Sequence, residues 1–206
     1  MDMHSIKLAF AEISDCISAN VDLLTMLDQQ SGDGDLGVSM RSGFEAASAF
    51  VAGSNERDCG RLLNGAADAF NRAAPSSLGT ILSFFLKGMA RRLRGIESFD
   101  HIVLATAMEQ GLKNVMEKAG SKPGEKTILD ALAPAVSALN MPQATASTAF
   151  TAAASAAETG AESTRRMQAV WGRAAYYGAQ SIGKIDGGAV VGKLIFKSLS
   201  SAAGQQ

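Results

Sequence analysis

A chain of 206 residues with 47% hydrophobic and 19% charged residues is long enough to bury a real core and has the make-up of one globular domain, taken as residues 1–206. Its 19 Lys and Arg stand against 20 Asp and Glu for a net charge of -1, leaving no basic stripe to neutralise a phosphodiester backbone and arguing against nucleic acid as a partner. Cys16 and Cys59 are too few for a disulfide framework and lack Cys-x-x-Cys spacing, so they read as small core or helix-face residues in a reducing compartment.

The first stretch, MDMHSIKLAFAEISDC, mixes acidic and basic residues and has no uninterrupted apolar segment, so it does not read as a signal peptide. A cytoplasmic location is the expectation. Ile6, Phe10, Ile13, Ile17, Val21, Leu24 and Leu27 then recur at spacings of three and four, which predicts one long helix with Asp28 at its end. Further helical patterns cover residues 38–52, 57–73, 77–94, 99–119, 127–139, 144–170 and 187–203, about eight helices in all. The longest apolar run, GTILSFFLKGMA, is interrupted by Lys87 well short of the roughly 20 residues that cross a bilayer, so no membrane span is expected. Strand signals are nearly absent. Ala dominates ATASTAFTAAASAAETGAES, and Ala is the best helix former, so closely packed helices are expected there and an all-α fold throughout. No internal repeat or linker divides the chain.

Between the first two helical patterns lies LLTMLDQQSGDGDLGVSMRSGF, in which Gly32, Gly34 and Gly37 have the spacing of a dinucleotide fingerprint. That reading fails because a helix, not a strand, precedes the glycines. A calcium loop starting at Asp33 fails as well, since Phe44 falls where the bidentate Glu belongs. Gly178, Gly183 and Lys184 follow P-loop spacing until Ile185 replaces the required hydroxyl, and no strand precedes them. His4 and His101 are the only histidines, too few for a histidine-based zinc site.

What remains is a carboxylate set, Asp28, Asp33 and Asp35. The intervening glycines let the loop fold sharply enough to bring the three together, and clustered carboxylates are costly unless a cation neutralises them. Mg2+ takes such oxygen ligands and is commonly shared with nucleotide phosphates. The helix that follows offers free N–H groups and its positive dipole end to phosphate oxygens. Taken alone, SGDGDLG is as well explained by a solvated helix–helix turn.

The loop resembles that of the nucleotide-binding subunit of dihydroxyacetone kinases, whose members carry an Asp five residues before a Gly-Asp-Gly-Asp segment. KPGEKTILDALAPA (Lys122 to Ala135) is similar to the family's proline-glycine-acid-lysine-threonine loop, and GRAAYYGAQSIGKIDGGA (Gly172 to Ala189) to its closing motif. SSLGTILSFF matches a glycine-serine-rich turn more loosely. The resemblance implies an antiparallel eight-helix barrel with a nucleotide, ADP or ATP, at one end, bound through Mg2+ to Asp28, Asp33 and Asp35. It implies that Leu36, Gly37, Val38 and Ser39 face the phosphates with backbone N–H groups and the Ser39 hydroxyl. Ser76 and Ser77 meet the nucleotide at a second turn. Ile128 covers the adenine, with Ala119 and Gly120 beside it; Arg173 pairs with phosphate oxygens; Asp186, Gly187 and Gly188 close the site.

The partner so implied is a separate kinase subunit that holds a keto-sugar, and the phosphoryl donor is either exchangeable ATP or ADP recharged by a phosphocarrier of the sugar phosphotransferase system. Homodimerisation is left open. Leu36 stands where many relatives have His, Ser39 where they often have Asn, and Gly187 where they frequently have Pro. Three readings stay open from sequence: a kinase subunit for a small keto-sugar, a non-catalytic nucleotide-binding regulator, and a helical interaction module whose acidic loop binds nothing.

Overall fold

The structure, a computed structural model, describes residues 1–141 and 145–204. Among these, nine α-helices follow one another: α1 (Met3–Ala19), α2 (Val21–Asp28), α3 (Leu36–Gly53), α4 (Cys59–Ala73), α5 (Ser77–Arg92), α6 (His101–Ala119), α7 (Leu129–Leu139), α8 (Ala146–Ser163) and α9 (Gly187–Ala203). Two 3-10 segments, Thr164–Arg166 and Arg173–Ser181, lie between α8 and α9. No strand occurs among the described residues. None of the helices is long and apolar enough to cross a membrane.

Each helix packs on its neighbours in sequence from α3 round to α9, and α1 closes the ring by packing on both α3 and α9. The α2 helix continues α1 and sits against the ends of α3 and α9, so eight positions circle the barrel, as expected. The centre is filled by one hydrophobic cluster drawn from all of them, with Ile17, Leu24, Met40, Leu62, Phe70 and Phe196 among the fully buried side chains. The apolar stripe of the first segment is core as predicted, since Ile6, Phe10, Ile13, Ile17, Leu24 and Leu27 are buried.

Most helix starts are closed by a side chain. Asp2, Asp58, Ser76, Asp100, Thr145 and Asp186 accept from N–H groups in the first turns of α1, α4, α5, α6, α8 and α9. The N-cap residues of α2, α3 and α7 make no such bond, although at α7 Thr127 Oγ1 accepts from Leu129 N at 3.2 Å. The starts of α3 and α7 belong to the site described below.

Two predicted helices differ from the observed ones. The long first helix is broken at Asn20 (φ -114, ψ 15), whose side chain donates to the Cys16 carbonyl at 2.7 Å while its own N–H bonds Ile17 O at 3.0 Å. The stripe is continuous across this break because α2 resumes with its apolar face toward the same core. The pattern expected over 144–170 starts at Ala144, which lies outside the described residues, and the observed α8 stops at Ser163. There Ser163 Oγ and Thr164 Oγ1 turn back to the carbonyls of Gly160 and Ala161 at 2.7 and 2.6 Å, and the chain extends at Met167 (ψ 146).

The core also contains an edge-to-face pair, Phe44 against Phe70, with centroids 4.8 Å apart and planes at 78°. Phe70→Ala removes a fully buried ring joining α3 to α4, and is expected to cost about 3–5 kcal/mol of stability in urea unfolding.

Candidate functional site

In a closed antiparallel ring, alternate connections fall at the same end. The connections α2–α3, α4–α5, α6–α7 and α8–α9 gather at one end of this barrel and line a cavity of about 920 Å3. Segments far apart in sequence, from Leu27 to Gly188, contribute to its wall.

The acidic loop forms one side. Asp28, the last residue of α2, turns its carboxylate back over the loop, where Oδ2 accepts from the N–H groups of Gly34 at 2.8 Å and Asp35 at 3.1 Å. Gly34 has φ +80, and a Cβ on Gly32 would lie 2.4 Å from Asp28 Oδ1, so both glycines are required for this fold of the loop. As a result, ligand atoms of Asp28, Asp33 and Asp35 all lie within 4.8 Å of one another. Arg173 Nη1 meets Asp33 Oδ2 at 2.5 Å. That hydrogen bond holds the Asp33 carboxyl below its ordinary range, whereas Asp35 is raised by burial and by the charges of Asp33 and Asp28. A hard, oxygen-only donor set with a surplus of negative charge fits a divalent cation of the magnesium type.

The remaining residues singled out in the sequence divide between the cavity wall and its support. Leu36 opens α3 and lines the cavity. Gly37 is buried against α2, where a Cβ would meet the Val21 carbonyl at 2.3 Å, and the Val38 side chain is half exposed. Neither side chain reaches the cavity, so what these two offer is backbone. Ser39 Oγ donates to Ser76 Oγ at 2.9 Å, which ties α3 to the N-cap of α5, and Ser76 and Ser77 line the wall. Ile128, buried, and Ala119, at the end of α6, form an apolar part of the same wall. Arg173, Asp186, Gly187 and Gly188 complete it. Leu36 and Gly187 touch: a Cβ at 187 would lie 2.6 Å from Leu36 Cδ2.

Several cavity residues escaped the sequence reading. Lys126 is buried with φ +60, and its ammonium donates to the carbonyls of Thr164 (2.6 Å) and Lys184. Burial lowers its affinity for the proton. Lys184 Nζ reaches Gln30 O at 3.0 Å and lies 5.4 Å above the Tyr177 ring. Trp171 lines the wall and donates to Glu125 Oε2 at 2.5 Å. Lys126 sits inside a segment the resemblance had marked, whereas the Trp171–Glu125 pair joins residues 46 apart with no local pattern to reveal it. His4 and His101 do not line the cavity; they lie near the starts of α1 and α6.

Fold and site together define an all-α barrel that presents a carboxylate cluster and helix N-termini to a ligand at one end. Residues 30–201 match the DAK2 domain family, and the chain belongs to that family. It is 30% identical over 192 residues to the PEP-dependent dihydroxyacetone kinase, ADP-binding subunit DhaL, of Escherichia coli (strain K12), across 92% of this chain and 91% of that one. It is 32% identical over 203 residues to the L-erythrulose kinase of Pectobacterium atrosepticum, across 96% of this chain but 34% of the relative. The crystal structure of the dihydroxyacetone kinase from C. freundii in complex with AMP-PNP and Mg2+ has the same fold, with a TM-score of 0.75 at 22% identity over 94% of this chain and 33% of that one. The chain thus spans nearly all of the E. coli subunit and about a third of the two longer kinases.

Asp186 gives the site a pH signature. Loss of solvent pushes its carboxyl up to about 6, from 3.8 for the free group. The folded chain therefore keeps a proton that the unfolded chain has released across this interval, and stability falls as pH rises from 4 toward 6. Asp186→Asn retains an oxygen to accept from Ala189 N, which Asp186 Oδ2 does at 2.7 Å. Melting curves of the ligand-free variant are expected to match wild type near pH 4 and to lie above it at pH 7.

Proposed function

We propose that the chain is the nucleotide-binding subunit of a keto-sugar kinase, holding ADP or ATP with Mg2+ for phosphoryl transfer to a substrate carried by a partner subunit. The observation that supports this most directly is the trio Asp28, Asp33 and Asp35, with ligand atoms within 4.8 Å of one another beside the open start of α3. These three residues would hold the cation. When bound, it offsets charge on the phosphate oxygens between which a phosphoryl group moves.

The chain's own residues then have distinct tasks. In the ligand-free state Arg173 neutralises Asp33; once Asp33 serves the cation, the guanidinium fork is free to take phosphate oxygens. The first turn of α3, which no side chain caps, supplies N–H groups and its positive dipole end to the same anion, and α7, whose first-turn N–H groups already bond Thr127 and Ile128, adds only its dipole. Ser76 and Ser77 add hydroxyls from the start of α5, and Ile128 and Ala119 give an apolar surface for the base. Asp186, Gly187 and Gly188 shape the wall opposite Leu36. The names of the E. coli and Listeria innocua relatives, PEP-dependent and ADP-binding, favour ADP retained in place and recharged by a phosphocarrier over ATP exchanged at each turnover.

The partner follows from what the cavity lacks among the described residues, a histidine to hold a carbonyl substrate. The purified chain alone is expected to leave dihydroxyacetone and erythrulose unphosphorylated, with turnover restored by adding a substrate-binding kinase subunit. Robust turnover by the single chain would overturn the subunit reading.

Charge on the acidic loop supplies the test of the site. With Mg2+, ADP is expected to raise the melting temperature by mass action on the folded state, and EDTA to abolish that rise. Asp35→Asn relieves repulsion from Asp33 and Asp28, so the ligand-free variant should melt at or above wild type. Its affinity for Mg–ADP should fall by roughly 10- to 100-fold, the range for disturbing a metal's ligand environment. Equal ADP affinity with and without Mg2+ in calorimetry would refute the carboxylate bridge.

A further inference from the structure

The segment that crosses the cavity mouth is fixed at two places. Arg173 is paired with Asp33, and two residues earlier the Trp171 indole donates to Glu125 Oε2 at 2.5 Å. Gly172 between them has φ +66, a left-handed turn that lets neighbouring side chains reach different walls. Glu125 is itself braced, since the same Oε2 accepts from Lys122 N at 2.9 Å and its carbonyl accepts from Val170 N at 3.3 Å. The hydrogen bond from Trp171 holds the Glu125 carboxyl below its ordinary range, as an anionic acceptor. The indole edge lies over the α6–α7 loop, with Cη2 at 3.5 Å from the Cβ position of Gly120.

Trp171 is the only tryptophan of the chain, and it is 43% exposed although it is held in place. It shares the cavity wall with Ala119 and Ile128, and its indole reaches the α6–α7 loop whereas Arg173 reaches the α2–α3 loop. Ser121 lies in the same wall, and its buried hydroxyl has no hydrogen-bond partner among the described residues. The cavity therefore has a charged end, sufficient for an inorganic polyphosphate, and an aromatic and aliphatic end that such an anion would not use. A fixed indole with an accessible surface suits a flat heteroaromatic ring, and base-on-aromatic stacking is an established source of affinity.

We infer that Trp171, anchored by Glu125, stacks on the nucleobase and sets the preference of the cavity for base-bearing over base-free phosphate ligands. The inference rests on the nucleotide reading above, and the two can fail separately.

As the sole tryptophan, Trp171 is its own reporter under tryptophan-selective excitation. Titration with Mg–ADP is expected to quench or shift its emission, while Mg–pyrophosphate leaves it unchanged. Trp171→Ala should weaken Mg–ADP binding by roughly 5- to 100-fold and Mg–pyrophosphate binding by less than about twofold, whereas Trp171→Phe, which keeps a stacking ring, should recover most of the loss. Should Trp171→Ala fold poorly, the wild-type emission and the Phe variant decide the question. If Mg–ADP raises the melting temperature of wild type without changing the emission, and binds Trp171→Ala as tightly, stacking is refuted and the nucleotide site stands. If Mg–ADP does not bind wild type at all, both readings fall.

Discussion

Alternate helices of a closed antiparallel ring begin at the same end, and in this barrel α3, α5, α7 and α9 all start around one cavity. Each start carries partial positive charge from aligned peptide dipoles, so this end of the barrel favours anions before any side chain is considered. Into that field the α2–α3 loop places three carboxylates. Three of the helix starts are satisfied, those of α5 and α9 by their own Ser76 and Asp186 and that of α7 by Thr127 and Ile128, while that of α3 has no side-chain cap. Negative side chains and unsatisfied N–H groups thus coexist a few ångströms apart without cancelling. On the function proposed above, a cation on the carboxylates together with a phosphate at the start of α3 would satisfy both.

The four connections would make a poor binding site if each moved independently, and polar links bind them together. Arg173 and Lys184 both reach from the α8–α9 connection to the α2–α3 loop, one to the Asp33 carboxylate and the other to the Gln30 carbonyl. Lys126 reaches from the α6–α7 loop to two carbonyls of the α8–α9 connection. A buried ammonium on two backbone acceptors is costly to leave unpaired, which favours keeping Thr164 and Lys184 in register and discourages the wall from opening there. The exposed Arg173–Asp33 pair is weaker for the opposite reason, because solvent screens it. The rigid link is therefore the buried one and the exchangeable link the exposed one.

Much of this was legible in the sequence because the relevant signals are local. The stripe from Ile6 to Leu27 and the patterns over α3 to α7 and α9 place apolar residues on one helical face, and the helices run within a few residues of those limits. Asp28, Asp33 and Asp35 were legible only in company, because their loop alone reads equally as a turn and it is the further motifs of the resemblance, in the same order along the chain, that single it out. Periodicity could not see Asn20, since a break that preserves the apolar face leaves the pattern intact. Nor could it see the end of α8, because Met167, Ala169 and Val170 continue an apolar sequence after side chains of Ser163 and Thr164 have turned the backbone aside. The 3-10 segment Arg173–Ser181 is kinked at Gly178 and buries only Ser181, so no core-facing apolar stripe marks it. Lys126, Glu125 and Trp171 depend on contacts between distant loops, which no local pattern encodes.

Two departures from the resemblance that are separate in sequence become one feature in space. Leu36 replaces a frequent His and Gly187 a frequent Pro, and the missing Cβ of Gly187 would lie 2.6 Å from Leu36 Cδ2. The absence of a side chain at 187 leaves room for the leucine in the rotamer it adopts, and a Cβ there would make the end of Leu36 shift. Position 187 is the first residue of α9, where the fixed φ of proline suits a helix and glycine does not favour one. Accepting glycine there weakens the start of α9 and leaves the Asp186 cap to hold it. The exchange also removes an imidazole donor from the start of α3 and puts an apolar side chain in its place. On the function proposed above, anion recognition at that helix would fall to backbone N–H groups, which read charge and geometry but cannot titrate. The site is thereby without a group that changes charge near neutral pH at that position, while at the start of α9 burial pushes the Asp186 carboxyl up to about 6.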